Sequence, residues 1–364
     1  MSNLTVNRKE IIKSITNHKP VVKNNNKLPI LSNILISINN DKIQFTGTNL
    51  DFHIITSVQA IENNNIKGNF LINCKDVLDI LKSLSTDIIE IETTENSFII
   101  ENISLPLQDI EQFPYITQEE IIYTMSDISQ EIKDKSLIAC KFVATDNTRI
   151  TLTGVYFEVS EIETIITGTN GHILTTNNIV ENNCFSHNFI LQTLPILQTM
   201  KTKKEKININ ICESQAIIEI GNNYKIISKL IYGPYPDYKQ VIPTDYKIKV
   251  EIDKNILSIA NKSLLPCAYE MTNQITFDYY QNKLYLSAFD PYTNKSGKQE
   301  IDSKITTGGN IKTSYNGKFI DLILSHIKSD LINIELTSET SASVICEKDS
   351  KDSLFLIMPL RLND

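Results

Sequence analysis

The chain reads as an α+β protein made of three repeated domains, each with two helices packed on antiparallel sheet. Three observations predict this. An alternating strand followed by an amphipathic helical pattern opens the chain and returns twice, with Val6, Met125 and Ile252 standing 119 and 127 residues apart. The triplet Gly-Thr-Asn recurs at Gly47 and Gly168, 121 residues apart. Short alternating strands fill the space between the helical patterns, and alternation implies one buried and one solvated face.

The elements follow in order. The three openings are Leu4–Asn7 with a helix over 10–18, Tyr123–Ser126 with a helix over 128–142, and Val250–Asp253 with a helix over 255–265. Asn7, Ser126 and Asp253 occupy the same place, and their side chains suit a helix N-cap. Each copy then has a strand pair: 34–37 with 42–49, 154–158 with 164–170, and 274–278 with 283–290. A second helix follows, over 74–84, 186–200 and 316–327, and two alternating strands close each copy. Proline marks the connectors, at Pro114 and from Pro234 to Pro243, because it removes ladder donors. The expected domains are residues 1–121, 122–246 and 247–364.

Composition excludes several classes. No apolar run reaches the roughly 20 residues of a membrane span, and the first residues show no signal-type apolar core. That sets aside a secreted or surface repeat-domain interaction protein, the alternative reading, and favours a cytoplasmic one. Six dispersed cysteines form no CxxC pair and suit reduced thiols. No Walker-type loop and no GxGxxG after a strand occurs, five histidines share no metal spacing, and no GxSxG elbow nominates a nucleophile. The reading is therefore non-catalytic, with no metal or cofactor.

A net charge of −8 argues at first against nucleic acid. The charge is not evenly spread. Residues 7–19 and 186–206 each carry +3, 253–265 and 315–328 each carry +1, and 73–83 and 126–141 are neutral. A basic helical face on an acidic protein attracts phosphates without reading bases.

Six motifs then carry a family resemblance: Leu28-Pro29-Ile30-Leu31-Ser32-Asn33, Thr46-Gly47-Thr48-Asn49-Leu50, Thr148-Arg149 with Leu152-Thr153-Gly154-Val155, Thr169-Asn170-Gly171-His172, Pro234-Tyr235-Pro236-Asp237-Tyr238 and Met358-Pro359-Leu360-Arg361-Leu362. In this order, on a threefold repeat, the sequence resembles the bacterial DNA polymerase III beta subunit, the sliding clamp, over essentially its whole length. The resemblance implies the DNA clamp fold and a homodimer closed head to tail into a ring around double-stranded DNA. It implies sequence-independent, topological binding, with helices toward the duplex. It also implies that replicative polymerase, clamp loader and repair proteins dock through short peptide motifs with apolar and aromatic anchors.

Carried over by position, the peptide pocket would comprise Leu152, Thr169, Gly171, His172, Ile173, Leu174, Pro236, Gln240, Val241, Ser343, Leu356, Met358, Pro359, Leu360 and Arg361. DNA-facing cations would be Lys9, Lys13, Lys23, Lys27, Arg149, Lys201, Lys203 and Lys204. The subunit contact would involve Ile103 with Leu264 and Leu265. Three departures from the family pattern stand out. Ile173 and Gln240 sit where the family has arginine, so a less electropositive pocket is expected, and Asn25 replaces a basic DNA-contacting position.

Overall fold

The computed structural model describes residues 3–23, 28–202, 205–348 and 352–361. Its six α-helices among these residues are α1 (Arg8–Thr16), α2 (Cys74–Ser83), α3 (Gln130–Ala139), α4 (Thr193–Thr199), α5 (Lys254–Leu264) and α6 (Gly317–His326). None is long and apolar enough to cross a membrane.

Two of the three expected caps act as such. The Asn7 side chain accepts from the amides of Lys9 and Glu10, and Asp253 accepts from Asn255 and Ile256. Asn73 caps α2 through the amides of Lys75 and Asp76, and Asn316 caps α6 through the amide of Lys318. Ser126 does not cap: Asp127 takes a positive φ of 48°, the Ile128 amide donates to Ile207 O at 3.0 Å, and α3 starts only at Gln130. The helix expected over 186–200 is also corrected. His187–Gln192 is an edge strand paired with Gly154–Val159, its run Phe189-Ile190-Leu191 buried on both faces; of this span only Thr193–Thr199 is helical. Pro195 in the first turn fits that later start, since its missing N–H would be unpaired there anyway.

Every strand pairing is antiparallel, and the chain divides into two compact units, residues 1–129 with 197–230, and residues 130–196 with 231–364. In the first unit a five-stranded sheet runs Glu62–Asn63, Asn3–Asn7, Ile88–Thr93, Ser97–Ile100, Ile103–Pro106. An eight-stranded sheet contains Gly68–Asn73, Asn33–Asn39, Lys42–Thr48 and Phe52–Gln59, then continues through Tyr224–Lys229 to Gln215–Ile220, Ile207–Ile211 and Tyr123–Met125. Apolar faces of α1 and α2, including Ile11, Ile15, Val77 and Leu81, close on Phe45, Phe98 and Ile36 to form the core.

The second unit repeats the device. A nine-stranded sheet takes Glu163–Thr169 and Ile173–Val180, continues through Ser353–Ile357, and carries on to Ser343–Glu347, Leu331–Leu336 and Ile248–Asp253. A four-stranded sheet of Lys295–Asp302, Lys283–Asp290, Gln274–Tyr280 and Ile311–Asn316 packs with α5 and α6 around Phe277, Tyr279 and Tyr315. The central copy thus gives strands to both units.

The repeated glycine of the Gly-Thr-Asn triplet has a steric cause. A Cβ on Gly168 would stand 2.4 Å from the carbonyl oxygen of Ala139, at the end of α3, and one on Gly47 would meet Val22 at 2.5 Å and His18 Nδ1 at 2.8 Å. Both glycines admit the end of a helix against the sheet.

Candidate functional site

In the second unit the strands Ile173–Val180 and Ser353–Ile357 meet side by side, with Leu174 opposite Leu356 and Ile173 opposite Ile357. Alternation sends these two pairs to opposite faces. Leu174 and Leu356 join a buried cluster with Tyr238 and Ala342, flanked by Tyr156, Tyr235, Ile242 and Leu354.

Three segments gather at this seam. The turn Thr169–Ile173 is fixed by its own side chains: Thr169 Oγ1 accepts from the Gly171 amide at 3.0 Å and donates to Ile173 O at 2.7 Å, while Asn170 Oδ1 accepts from the amides of His172 and Ile173. Gly171 sits at φ +87°, a conformation suited to glycine. The connector contributes Pro236 and a 3-10 turn, Tyr238–Val241, started by the Tyr238 amide donating to Pro236 O at 2.7 Å. The tail is tied in by the Met358 amide donating to His172 O at 2.8 Å and the Leu360 amide to Ser314 O at 2.7 Å. Val241 remains 48% exposed and Met358 38% exposed, so the seam presents apolar surface to solvent above a leucine floor.

Most residues expected in the pocket fall at or near this seam. Thr169, Gly171, His172, Leu174, Pro236, Gln240, Val241, Leu356, Met358, Pro359, Leu360 and Arg361 lie on its strands and its three segments. Leu152 is buried on the bent segment Asn147–Thr153. Two residues are placed otherwise. Ile173, 1% exposed, packs in the core that holds Phe142 and Phe355. Ser343 is buried and its hydroxyl is engaged with Tyr315 at 2.6 Å. Gln240 does face outward, and its amide donates to Asp237 Oδ2 at 2.9 Å.

Arg149, expected to face DNA, is exposed and reaches the glycine turn. Its Nη2 donates to Asn170 O at 3.0 Å, and its guanidinium nitrogens come within 2.7–2.8 Å of where a Gly171 side chain would begin. Phe319, absent from the expected set, stacks near His172 with ring centroids 6.5 Å apart and planes at 20°. An aromatic in the first turn of an amphipathic helix looks like core in sequence, and only the return of the chain brings it here.

A second candidate surface lies in the first unit. Lys19, Lys23, Lys75 and Lys82 rim a groove with Ser32, Val22, Cys74, Leu78 and Asp79. Lys75 and Lys82, seven residues apart, fall on one face of α2; counting net charge cancelled them against Asp76 and Asp79. Burial pushes the Cys74 thiol up to about 11, which keeps it protonated, with Lys19 acting weakly the other way. Lys13 and Lys201 are exposed. Lys9 is exposed but paired with Asp87 at 2.9 Å, which holds the Asp87 carboxyl below its ordinary value through the Lys9 hydrogen bond and charge. Lys27, Lys203 and Lys204 lie outside the described residues, as does Asn25.

Ile103 is 39% exposed on the edge strand Ile103–Pro106. Leu264 is 2% exposed within the core. It lies behind the other edge strand, Lys295–Asp302, where a Cβ on Gly297 would meet Leu264 Cδ2 at 2.7 Å. Leu265 is half-buried beside it.

Among curated relatives, the beta sliding clamp of Chlamydia muridarum is 24% identical over 372 residues, covering 99% of both chains. That of Haemophilus influenzae is 24% identical over 370 residues, covering 98% of this chain and 99% of its own. The crystal structure of a Pseudomonas aeruginosa DNA polymerase sliding clamp superposes with a TM-score of 0.92 at 22% identity and full coverage of both chains. A C. crescentus beta sliding clamp, described with polyethylene glycol bound to a putative beta-motif tethering region, superposes at 0.92 with 19% identity, covering 99% of this chain and 100% of its own. Models of the N-terminal, central and C-terminal domains of the DNA polymerase III beta subunit match residues 2–117, 129–237 and 239–361 in that order. With three successive domain models spanning nearly all of its length, the chain belongs to the bacterial DNA polymerase III beta subunit family, a family of non-catalytic processivity subunits.

Proposed function

We propose that two copies of this chain close head to tail into a ring that encircles duplex DNA and tethers a replicative polymerase. The observation that carries the reading is the match of three beta-subunit domains, in order, along one chain. The domains run 1–121, 122–246 and 247–364. The lysines rimming α1 and α2 supply weak, sequence-blind phosphate contacts, which suit a protein that must slide. Among the described residues the strands Ile103–Pro106 and Lys295–Asp302 each stand at a sheet edge with no strand paired on one side, and an unpaired edge is a template for another chain. Ring closure pairs Ile103 on one copy with the Lys295–Asp302 edge of the other, and buried Leu264 backs that edge from within. The seam above Leu174 and Leu356 takes the short apolar and aromatic peptides of polymerase, loader and repair partners, held by Val241 and Met358.

The test is topological. After incubation with a clamp loader, the chain should co-elute with nicked circular DNA and be lost once the circle is linearised. Equal retention on linear and circular DNA would overturn encirclement.

A further inference from the structure

The connector turn that forms one wall of the groove is anchored from behind. Glu158 lies on the strand Gly154–Val159, two residues beyond Tyr156 and on the same face. Its Oε2 accepts a hydrogen bond from the hydroxyl of Tyr238, and its Oε1 takes Lys239 Nζ at 2.9 Å. Tyr238 and Lys239 are the first two residues of the turn whose last two are Gln240 and Val241. The Tyr238 ring is 6% exposed and packs on Leu174 and Leu356, the groove floor. Behind it, Tyr235 stacks on Tyr156 at 4.4 Å and 11°, and meets Tyr238 edge-on at 6.4 Å and 76°. Burial and the Glu158 hydrogen bond hold the Tyr238 hydroxyl in its protonated form, well above its ordinary pKa. The same carboxylate raises Lys239. One acceptor group therefore fixes two consecutive side chains of a four-residue turn, leaving that turn little freedom to swing away from the seam.

We propose that Glu158 is the positioning residue of the partner groove: it touches no partner, but sets Val241 and Gln240 over the leucine floor by holding Tyr238 and Lys239. A preorganised wall spares the partner the ordering cost of binding. This rests on the peptide reading of the seam given above.

The experiment measures fluorescence anisotropy of a labelled synthetic peptide whose only apolar side chains are one leucine and one phenylalanine. Wild type, a deletion of 358–364, E158A, E158Q, Y238F and E158A/Y238F are compared. E158A and Y238F should each weaken binding about tenfold, as expected for a charge-assisted hydrogen bond that orders a binding surface, and the double variant should lose no more than either single one. E158Q, which can still accept from Tyr238, should stay within about threefold of wild type. Additive losses, or wild-type affinity in both single variants, would overturn the positioning role. Y238F keeps the buried ring, so it decides the matter if E158A fails to fold. A wild type that does not bind, or binds equally without residues 358–364, takes down the groove reading itself; intact binding with inert E158A and Y238F takes down only this inference.

Discussion

The same sheet continuation occurs twice, and the connector meets the two seams differently. In the first unit Phe52–Gln59 continues into Tyr224–Lys229, with Ile54 opposite Ile226; in the second Ile173–Val180 continues into Ser353–Ile357. At the first seam the connector covers the apolar surface and borders a groove lined by Lys42, Gln44, Ser57, Gln118, Glu219 and Lys225. Ile116 packs with Ile55, Ile217 and Ile227. Gln215 Nε2 donates to Thr117 O at 3.0 Å, and the Ser214 amide donates to Glu119 Oε2 at 2.8 Å, which with the Ser214 hydroxyl depresses the Glu119 carboxyl. At the second seam the connector stops at the rim and leaves Val241 and Met358 in solvent. The connector thus covers apolar surface at the first seam and leaves apolar surface exposed at the second.

The largest expected difference between the units is acid sensitivity. His18 is completely buried on the helix end beside Gly47, with Nε2 against Thr56 Oγ1 at 2.9 Å, and burial lowers it to about 3. His53 is lowered to about 4, by burial first and then by Lys229. A folded pKa below the unfolded value of about 6.5 means that the unfolded chain binds the proton first. The stability that neutral His18 confers is therefore present above pH 6.5 and is lost as pH falls toward 3, at about 1.4 kcal/mol per pH unit. The second unit has His326, lowered by burial and Lys141, but no histidine buried as completely among its described residues. Denaturant midpoints between pH 7 and 4.5 should fall steeply for a probe in the first unit, and H18Q should flatten that slope. An unchanged slope in H18Q removes His18 as the cause.

The Ile116 contact at the first seam has a measurable value. I116A removes a half-buried side chain from a packed connector and should cost about 2 kcal/mol, read as a shifted urea midpoint with unchanged m. V241A at the open seam should cost less than about 0.5 kcal/mol, as for exposed side chains away from special contacts. Similar losses at the two positions would mean that the two connectors are equally packed.

How much of this was legible in sequence follows from the range of each interaction. The repeated caps at Asn7 and Asp253 and the strand alternation are local and read correctly. Residues 186–200 misled because a strand ending in Gln192 runs directly into α4, and its apolar residues suit either period. The division of the central copy between two units depends on Ile54 meeting Ile226 across the chain, which no local pattern records. At the groove, the glycine turn and the Met358 tail were accessible through the family resemblance. Ile173 was misassigned because one step along a strand reverses the face. Glu158 stayed hidden because its partner lies 80 residues away.

The smallest test compares the two equivalent turns that lead into the seams. Thr48-Asn49-Leu50 repeats the hydrogen bonds of Thr169-Asn170-Gly171: the Leu50 amide donates to Thr48 Oγ1 at 3.0 Å, and Asn49 Oδ1 accepts from Asp51 and Phe52. Yet Leu50 occupies φ +79° where Gly171 occupies +87°. A left-handed conformation costs an ordinary residue about 1–2 kcal/mol, and glycine loses about 0.5–1 kcal/mol more backbone entropy on folding. L50G should therefore stabilise the protein by about 0.5 kcal/mol. G171A should do the opposite, by about 1–2 kcal/mol, because its Cβ also collides with the Arg149 guanidinium. Opposite signs in urea melts would mean that the two turns share a backbone requirement that only the second meets with glycine. Stabilisation by neither, or loss in both, would mean that Leu50 gains enough from its side-chain contacts to offset the strain, and the second seam would then differ from the first in its turn as well as in its connector.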